Sequence, residues 1–124
     1  MQKGTKVLLV DDEAEFVRTL AERLQIRGIQ ALVAIDGAEA LQVVEEQKPP
    51  IVVLDVMMPG MGGIEVLQRL KEKHPDIQVI LLTGHGSAKE GVRGMRLGAF
   101  DYMMKPVHIE ELIKKMGEAY EASR

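Results

Sequence analysis

The sequence has no cysteine and no tryptophan, and aromatic residues make up only 3% of it. Without cysteine there can be no disulfide framework, thiolate metal site, iron-sulfur cluster or cysteine nucleophile, so the fold must rest on its apolar core. The rings present, Phe16, Phe100, Tyr102 and Tyr120, are too few for a stacking platform for single-stranded nucleic acid. No apolar run approaches the roughly 18 to 20 residues needed to span a bilayer. The segment from Met1 to Lys6 lacks the long apolar stretch and cleavage site of a secretory signal. Charge of one sign is also scarce. Sixteen basic and 19 acidic side chains leave a net charge of -3, which gives no general attraction to phosphate backbones or anionic membranes. These absences point to a cytoplasmic protein with no direct contact to nucleic acid or membrane.

What is present is an ordinary globular composition, 46% hydrophobic and 28% charged over 124 residues, enough for one core. Short apolar runs, Val7 to Val10, Ala31 to Ile35, Ile51 to Leu54, Val79 to Leu82 and Phe100 to Met104, alternate with amphipathic stretches. Four of the five are apolar nearly throughout, as strands buried on both faces are.

The intervening stretches carry helical spacing and punctuation. Phe16, Leu20 and Leu24 line the first, which stops at Gly28. Asp36 with Glu39, and Ser87 with Glu90, have capping-box spacing at the starts of the second and fourth. Ile64, Leu67 and Leu70 line the third, which ends at His74-Pro75. Ile109, Leu112, Ile113, Met116 and Tyr120 line the fifth. A five-fold strand-helix alternation implies a parallel α/β sheet with helices on both faces, and residues 1–124 read as one domain with no attached output segment. Open sheets of this type bind ligands beyond the carboxyl ends of their strands.

Those ends carry Asp11 and Asp12 after the first run, Asp55 after the third, Thr83 after the fourth and Lys105 after the fifth. If the second strand lies at an edge, with the first and third adjacent inside, all five converge on one crevice. Taken singly, Asp11, Asp12 and Thr83 suit helix or loop caps, and Lys105 suits solvent. As a group they are harder to explain by folding. Two unit charges about 4 Å apart repel by on the order of 4 kcal/mol at an effective dielectric near 20. A hard cation resolves the conflict, and carboxylates completed by carbonyl, water and phosphate oxygens suit Mg²⁺. A carboxylate such as Asp55 can attack phosphorus to give an acyl phosphate. The ion, the Lys105 ammonium and the Thr83 hydroxyl are then the donors that spread the transferred charge. Lys105-Pro106 is a candidate cis peptide.

Four segments, Leu8-Leu9-Val10-Asp11-Asp12-Glu13, Val53-Leu54-Asp55-Val56-Met57-Met58-Pro59-Gly60-Met61, Leu82-Thr83-Gly84 and Tyr102-Met103-Met104-Lys105-Pro106, stand in order and at matching spacing. With them the chain resembles, over essentially its whole length, the receiver domain of bacterial two-component response regulators. The resemblance implies a flavodoxin-like sheet of five parallel strands in the order 2-1-3-4-5, with five helices on both faces. It further implies a phospho-accepting regulator, not an enzyme in the usual sense, that assists its own phosphoryl transfer and dephosphorylation. Asp55 would take the phosphoryl group from a sensor histidine kinase or phosphotransfer protein. Asp12 and Asp55 would hold Mg²⁺ directly, Asp11 through water and Met57 through its backbone carbonyl. Thr83 would move to the phosphoryl oxygen, Lys105 would pair with it, and Tyr102 would turn inward as Thr83 moves. Gly84 would leave the approach to Asp55 open. The chain departs from the usual pattern at Val107, where Phe is common, while Met57 and His85 occupy two variable positions that influence the approach of water.

The surface formed by the fourth helix, fifth strand and fifth helix is the expected contact for a downstream effector protein or output domain, and a candidate homodimer face. Gly91 and Gly94 inside the fourth helix admit two readings: a marginally stable switching helix or close packing on the sheet. Glu110, Glu111, Lys114 and Lys115 suit solvated i,i+4 pairs, His85 and His108 suit the surface, and Met57, Met58, Met103 and Met104 suit core and loop filling. Rival functions fare worse. A flavin module needs a phosphate-cradling loop and stacking rings, a phosphatase with an aspartyl-phosphate intermediate usually has a second acid where Met57 stands, and a docking module without phosphorylation has no use for the five site residues.

Overall fold

Strands whose side chains are buried on both faces cannot leave backbone groups to water and must pair on both edges. In a computed structural model, which describes residues 1, 3–84 and 88–123, this holds for β1 (Lys6–Val10) and β3 (Ile51–Asp55), which pair with each other in the register Val7↔Ile51 to Val10↔Leu54. β2 (Gln30–Ala34) flanks β1, β4 (Gln78–Thr83) flanks β3, and β5 (Asp101–Met104) flanks β4, all parallel, giving the order 2-1-3-4-5. Alternation divides the side chains into two layers. Val7, Leu9, Ile51, Val53, Ile80 and Leu82 meet Val17, Leu20 and Leu24 of α1 (Ala14–Ile26) and Leu112 and Met116 of α5 (Ile109–Ala122). Leu8, Val10, Val52, Leu54, Val79 and Leu81 meet α2 (Gly37–Gln47) and α3 (Gly63–Lys73). α4 (Ala88–Arg96) lies on this second face, its Gly94 close against Leu81 and Ile64.

The punctuation works as the residue types require. The Asp36 side chain accepts from Glu39 N at 2.8 Å, and Glu39 Oε1 accepts from Ile35 N at 2.8 Å. Because the Ile35 amide is taken by the cap, the β1–β2 ladder stops at Val10↔Ala34, and Ile35 lies outside the strand in which its apolarity placed it. Gly28 follows α1 with φ +83°, a value that favours glycine. At the end of α2 the same left-handed region is occupied by Lys48, φ 47°. Lys48→Gly is therefore expected to raise stability by about 1 kcal/mol, seen as a higher urea midpoint with an unchanged slope.

Several sequence expectations are corrected. The edge strand β2 is not buried on both faces, Gln30 being exposed and Leu32 and Val33 only partly buried; on the other edge β5 leaves Tyr102 and Met104 exposed while Met103 is buried. Phe16 is only partly buried, Val17 and Ala21 taking inward positions beside Leu20 and Leu24. Glu110 pairs with Arg27 at 3.2 Å and Lys115 with Asp101 at 2.7 Å, so two of the four α5 charges tie the helix to neighbouring elements instead of to each other. Gly91 and Gly94 are buried, with no room for a Cβ at Gly94, which favours close packing over a loosened helix. The Ser87 cap and His85 lie outside the described residues. The Lys105-Pro106 peptide is cis.

Candidate functional site

The order 2-1-3-4-5 makes β1 and β3 neighbours, so the residues leaving their carboxyl ends meet above the sheet. Asp11 follows β1 directly, its N–H held by Ala34 O at 3.1 Å, and Asp55 is the last residue of β3, paired with Leu82. Both are buried, whereas Asp12 is exposed. One carboxylate oxygen from each of Asp11, Asp12 and Asp55 lies within 4.8 Å of the others. Asp11 has two roles, one for each oxygen. Oδ1 accepts from Glu13 N at 2.9 Å, a local turn at the head of α1, while Oδ2 faces Lys105 Nζ at 2.8 Å as an ion contact with no donor aligned on it.

Lys105 reaches the cluster from the far side because β5 sits beside β4, and its N–H donates to Thr83 O at 2.8 Å. Nζ bonds Glu13 Oε1 at 2.9 Å, stands 3.9 Å from Asp55 Oδ1 and lies 4.8 Å from the Phe16 ring centroid. Burial opposes the charge on Lys105, but Asp11 and Glu13, with Asp55 behind them, more than offset it and hold its pKa above the usual lysine value. Asp55 is pushed the other way. Burial, and then the charge of Asp11, raise its carboxyl to about 6, although Lys105 and the Met57 N–H favour the anion. One ammonium thus faces three carboxylates, and Asp12 adds a fourth to the cluster. An all-oxygen donor set with more negative charge than the single Lys105 ammonium balances fits a hard divalent cation such as Mg²⁺.

Thr83 is fully buried at the end of β4, and its hydroxyl donates to Met103 O at 3.3 Å. In this state the hydroxyl serves β5 instead of Asp55. Tyr102, partly exposed on β5, lies against Gly91 of α4 together with the Thr83 methyl. A Cβ at Gly84 would meet nothing within 4 Å.

Three contributors were not assigned a role from sequence. Glu13 shares Lys105, Phe16 lies under it, and Gly63, the first residue of α3, packs its Cα on the backbone of Asp55 and Val56. The third acid in Asp11-Asp12-Glu13 and the doubled Gly62-Gly63 after the β3 motif were the available signals.

Comparison with known proteins follows this geometry. The model of the response regulator receiver domain matches residues 7–117. The chain belongs to the response regulator receiver domain family. This receiver is 40% identical over 119 residues to an uncharacterized transcriptional regulatory protein, YkoG, of Bacillus subtilis (strain 168), covering 96% of the receiver and 52% of that relative. It is 39% identical over 111 residues to the response regulator MprA of Mycobacterium sp. (strain KMS), covering 90% and 48%. The receiver thus spans about half the length of the curated relatives it matches. Among solved structures, a response regulator receiver domain protein from Clostridium thermocellum superposes with a TM-score of 0.91 at 32% identity, covering 95% of each chain. NtrX from Brucella abortus, in a complex with ADP, superposes with a TM-score of 0.91 at 31% identity, covering 97% of the receiver and 28% of that chain. The receiver is therefore a signalling module of two-component systems, in a family that generally works as a phosphorylation switch using Mg²⁺.

Proposed function

We propose that Asp55 accepts a phosphoryl group from a histidine kinase or phosphotransfer protein and that the resulting charge changes the α4–β5–α5 surface to control an effector protein or output domain. The carrying observation is the meeting of Asp11, Asp12 and Asp55 with Lys105 at the carboxyl edge of the sheet. An Asp55 carboxylate oxygen forms the new bond to phosphorus, the P–N bond to the donor imidazole breaks, and the leaving nitrogen takes up a proton. Asp12, Asp55 and the Met57 carbonyl would hold Mg²⁺, with Asp11 acting through water. The bound ion supplies charge neutralisation for the phosphoryl oxygens. Lys105 shifts from Glu13 toward the new anion, Thr83 gives up Met103 O to donate to a phosphoryl oxygen, and Tyr102 follows it inward. The same groups position water for hydrolysis of the acyl phosphate, so the domain assists its own dephosphorylation.

Residues 1–124 are read as one such domain working in the cytoplasm without direct nucleic-acid or membrane contact, and the α4–β5–α5 face also suits a homodimer. No helix among the described residues is long and apolar enough to cross a membrane.

Incubation with acetyl phosphate, followed by intact-mass measurement, tests this reading. A gain of one phosphoryl group that requires Mg²⁺ supports it. No gain under conditions that modify a known receiver refutes it. Mg²⁺ should also raise thermal stability by relieving repulsion among the acids, by about 2.7 kcal/mol at a hundredfold excess over its dissociation constant. A melting temperature unchanged across a magnesium titration would count against a metal at this cluster.

A further inference from the structure

Gly91 lies in the interior of α4 and is buried against the sheet. A Cβ built there would stand 3.1 Å from Thr83 Cγ2, 3.4 Å from Tyr102 Cδ2 and 3.5 Å from Tyr102 Cγ. The missing side chain thus lets Thr83 and Tyr102 pack against the bare backbone of α4, closer than a side chain at residue 91 would allow. The Thr83 hydroxyl is turned to Met103 O at 3.3 Å, and its methyl is turned to Gly91. Methyl and hydroxyl share one Cβ, so any rotation that frees the hydroxyl must carry the methyl with it. That methyl lies against the bare backbone at residue 91, and the Tyr102 ring lies against the same point.

We propose that Gly91 is a positioning residue for phosphoryl capture: by presenting no Cβ to press on them, it lets the Thr83 side chain and the Tyr102 ring rearrange together. The proposal rests on the reading of Asp55 as phosphoacceptor and Thr83 as its partner. Gly91 touches neither phosphorus nor metal and acts through Thr83. A purely structural role makes a different forecast. Gly91→Ala would then change stability through this close contact but leave the rate of phosphoryl gain by the folded protein unchanged, while Gly117→Ala should stabilise α5, where an added Cβ meets nothing within 4 Å.

The chain has two tyrosines, Tyr102 and Tyr120, so 3-fluorotyrosine labelling gives two ¹⁹F signals, assigned with Tyr120→Phe. Gly91→Ala is expected to displace the Tyr102 signal in the absence of any phosphodonor. It should also slow Mg²⁺-dependent phosphoryl gain from acetyl phosphate by about threefold or more, through a shifted balance of Thr83 conformations. Gly117→Ala should do neither. Thr83→Ser, which keeps the hydroxyl and removes the methyl, should return the Tyr102 signal of Gly91→Ala toward that of Thr83→Ser alone. Should Gly91→Ala fail to fold, a folded double variant Thr83→Ser/Gly91→Ala whose Tyr102 signal and rate match those of Thr83→Ser supports the role, and one that still differs overturns it. A Gly91→Ala protein matching wild type in rate overturns the proposal, whatever its Tyr102 signal, as does failure of Thr83→Ser to restore the signal. If wild type gains no phosphoryl group, the assignment of Asp55 fails, while the fluorine comparison made without donor still decides for or against Gly91.

Discussion

Asp55→Asn is expected to abolish Mg²⁺-dependent phosphoryl gain and, at the same time, to stabilise the metal-free fold. The first effect follows because the amide is not a nucleophile toward phosphorus and cannot form the acyl phosphate. The second follows from electrostatics. Burial and the neighbouring Asp11 raise the Asp55 carboxyl from the ordinary 3.8 to about 6 in the folded chain. Well below pH 3.8 the group is protonated in both the folded and unfolded chain and costs nothing. As pH rises toward 6 the unfolded chain gives up this proton while the folded chain keeps it, so stability falls, and above about 6 the loss is complete. By the usual conversion the loss is roughly 3 kcal/mol. Urea unfolding in EDTA should therefore separate Asp55→Asn from wild type at pH 8, with the variant more stable, and bring the two together near pH 3.5. A wild type as stable as the variant at pH 8 would show that Asp55 carries no such burden. Saturating Mg²⁺ should narrow the difference, since the ion favours the carboxylate and loses a ligand in the amide.

The second large effect is expected at Gly63, which touches no ligand. Its N–H donates to Val56 O at 3.0 Å, bringing the first turn of α3 onto the end of β3. A Cβ there would collide with the Asp55 carbonyl oxygen and come within 2.8 Å of Val56 Cα. Both obstacles are backbone and cannot rotate away. Gly63→Ala is thus expected to cost about 3 kcal/mol and to disturb phosphoryl capture by moving the segment that carries Asp55. Gly62→Ala is the matched control. Its added Cβ meets only Val56 O at 3.9 Å, with φ at -71°, so a change of a few tenths of a kcal/mol is expected for the loss of a glycine cap. Equal urea midpoints for the two variants would refute the close-approach account of Gly63.

The larger elements could be read from the chain because each rests on a short-range rule. Continuous apolar runs marked β1, β3 and β4, and Asp36 with Glu39 marked the start of α2. The readings that failed were those in which a tertiary neighbour decided. Ile35 looked like strand, but its amide was claimed by the Glu39 carboxylate. Glu110 and Lys115 suited helix-surface pairs, but Arg27 and Asp101 stood closer at hand. Leu32 and Val33 suited a strand buried on both faces, but β2 is an edge strand and both are only partly covered.

The site shows the same division. Residue type and order alone marked Asp11, Asp12, Asp55, Thr83 and Lys105 as strand-end groups, since acids, a hydroxyl and an ammonium after buried runs have few other uses in common. Their relations could not be read that way. That Lys105 rests on Asp11 and Glu13 with Asp55 at 3.9 Å, that Thr83 is committed to Met103 O, and that Gly91 and Gly63 allow close approach to Thr83 and Asp55 depend on the packing of distant segments at sub-ångström margins. Local sequence determined which chemical groups this receiver brings to its sheet edge. Only the tertiary structure decided which of them are paired, which are strained by burial, and which are free to move, because those depend on distance and dielectric between residues far apart in the chain.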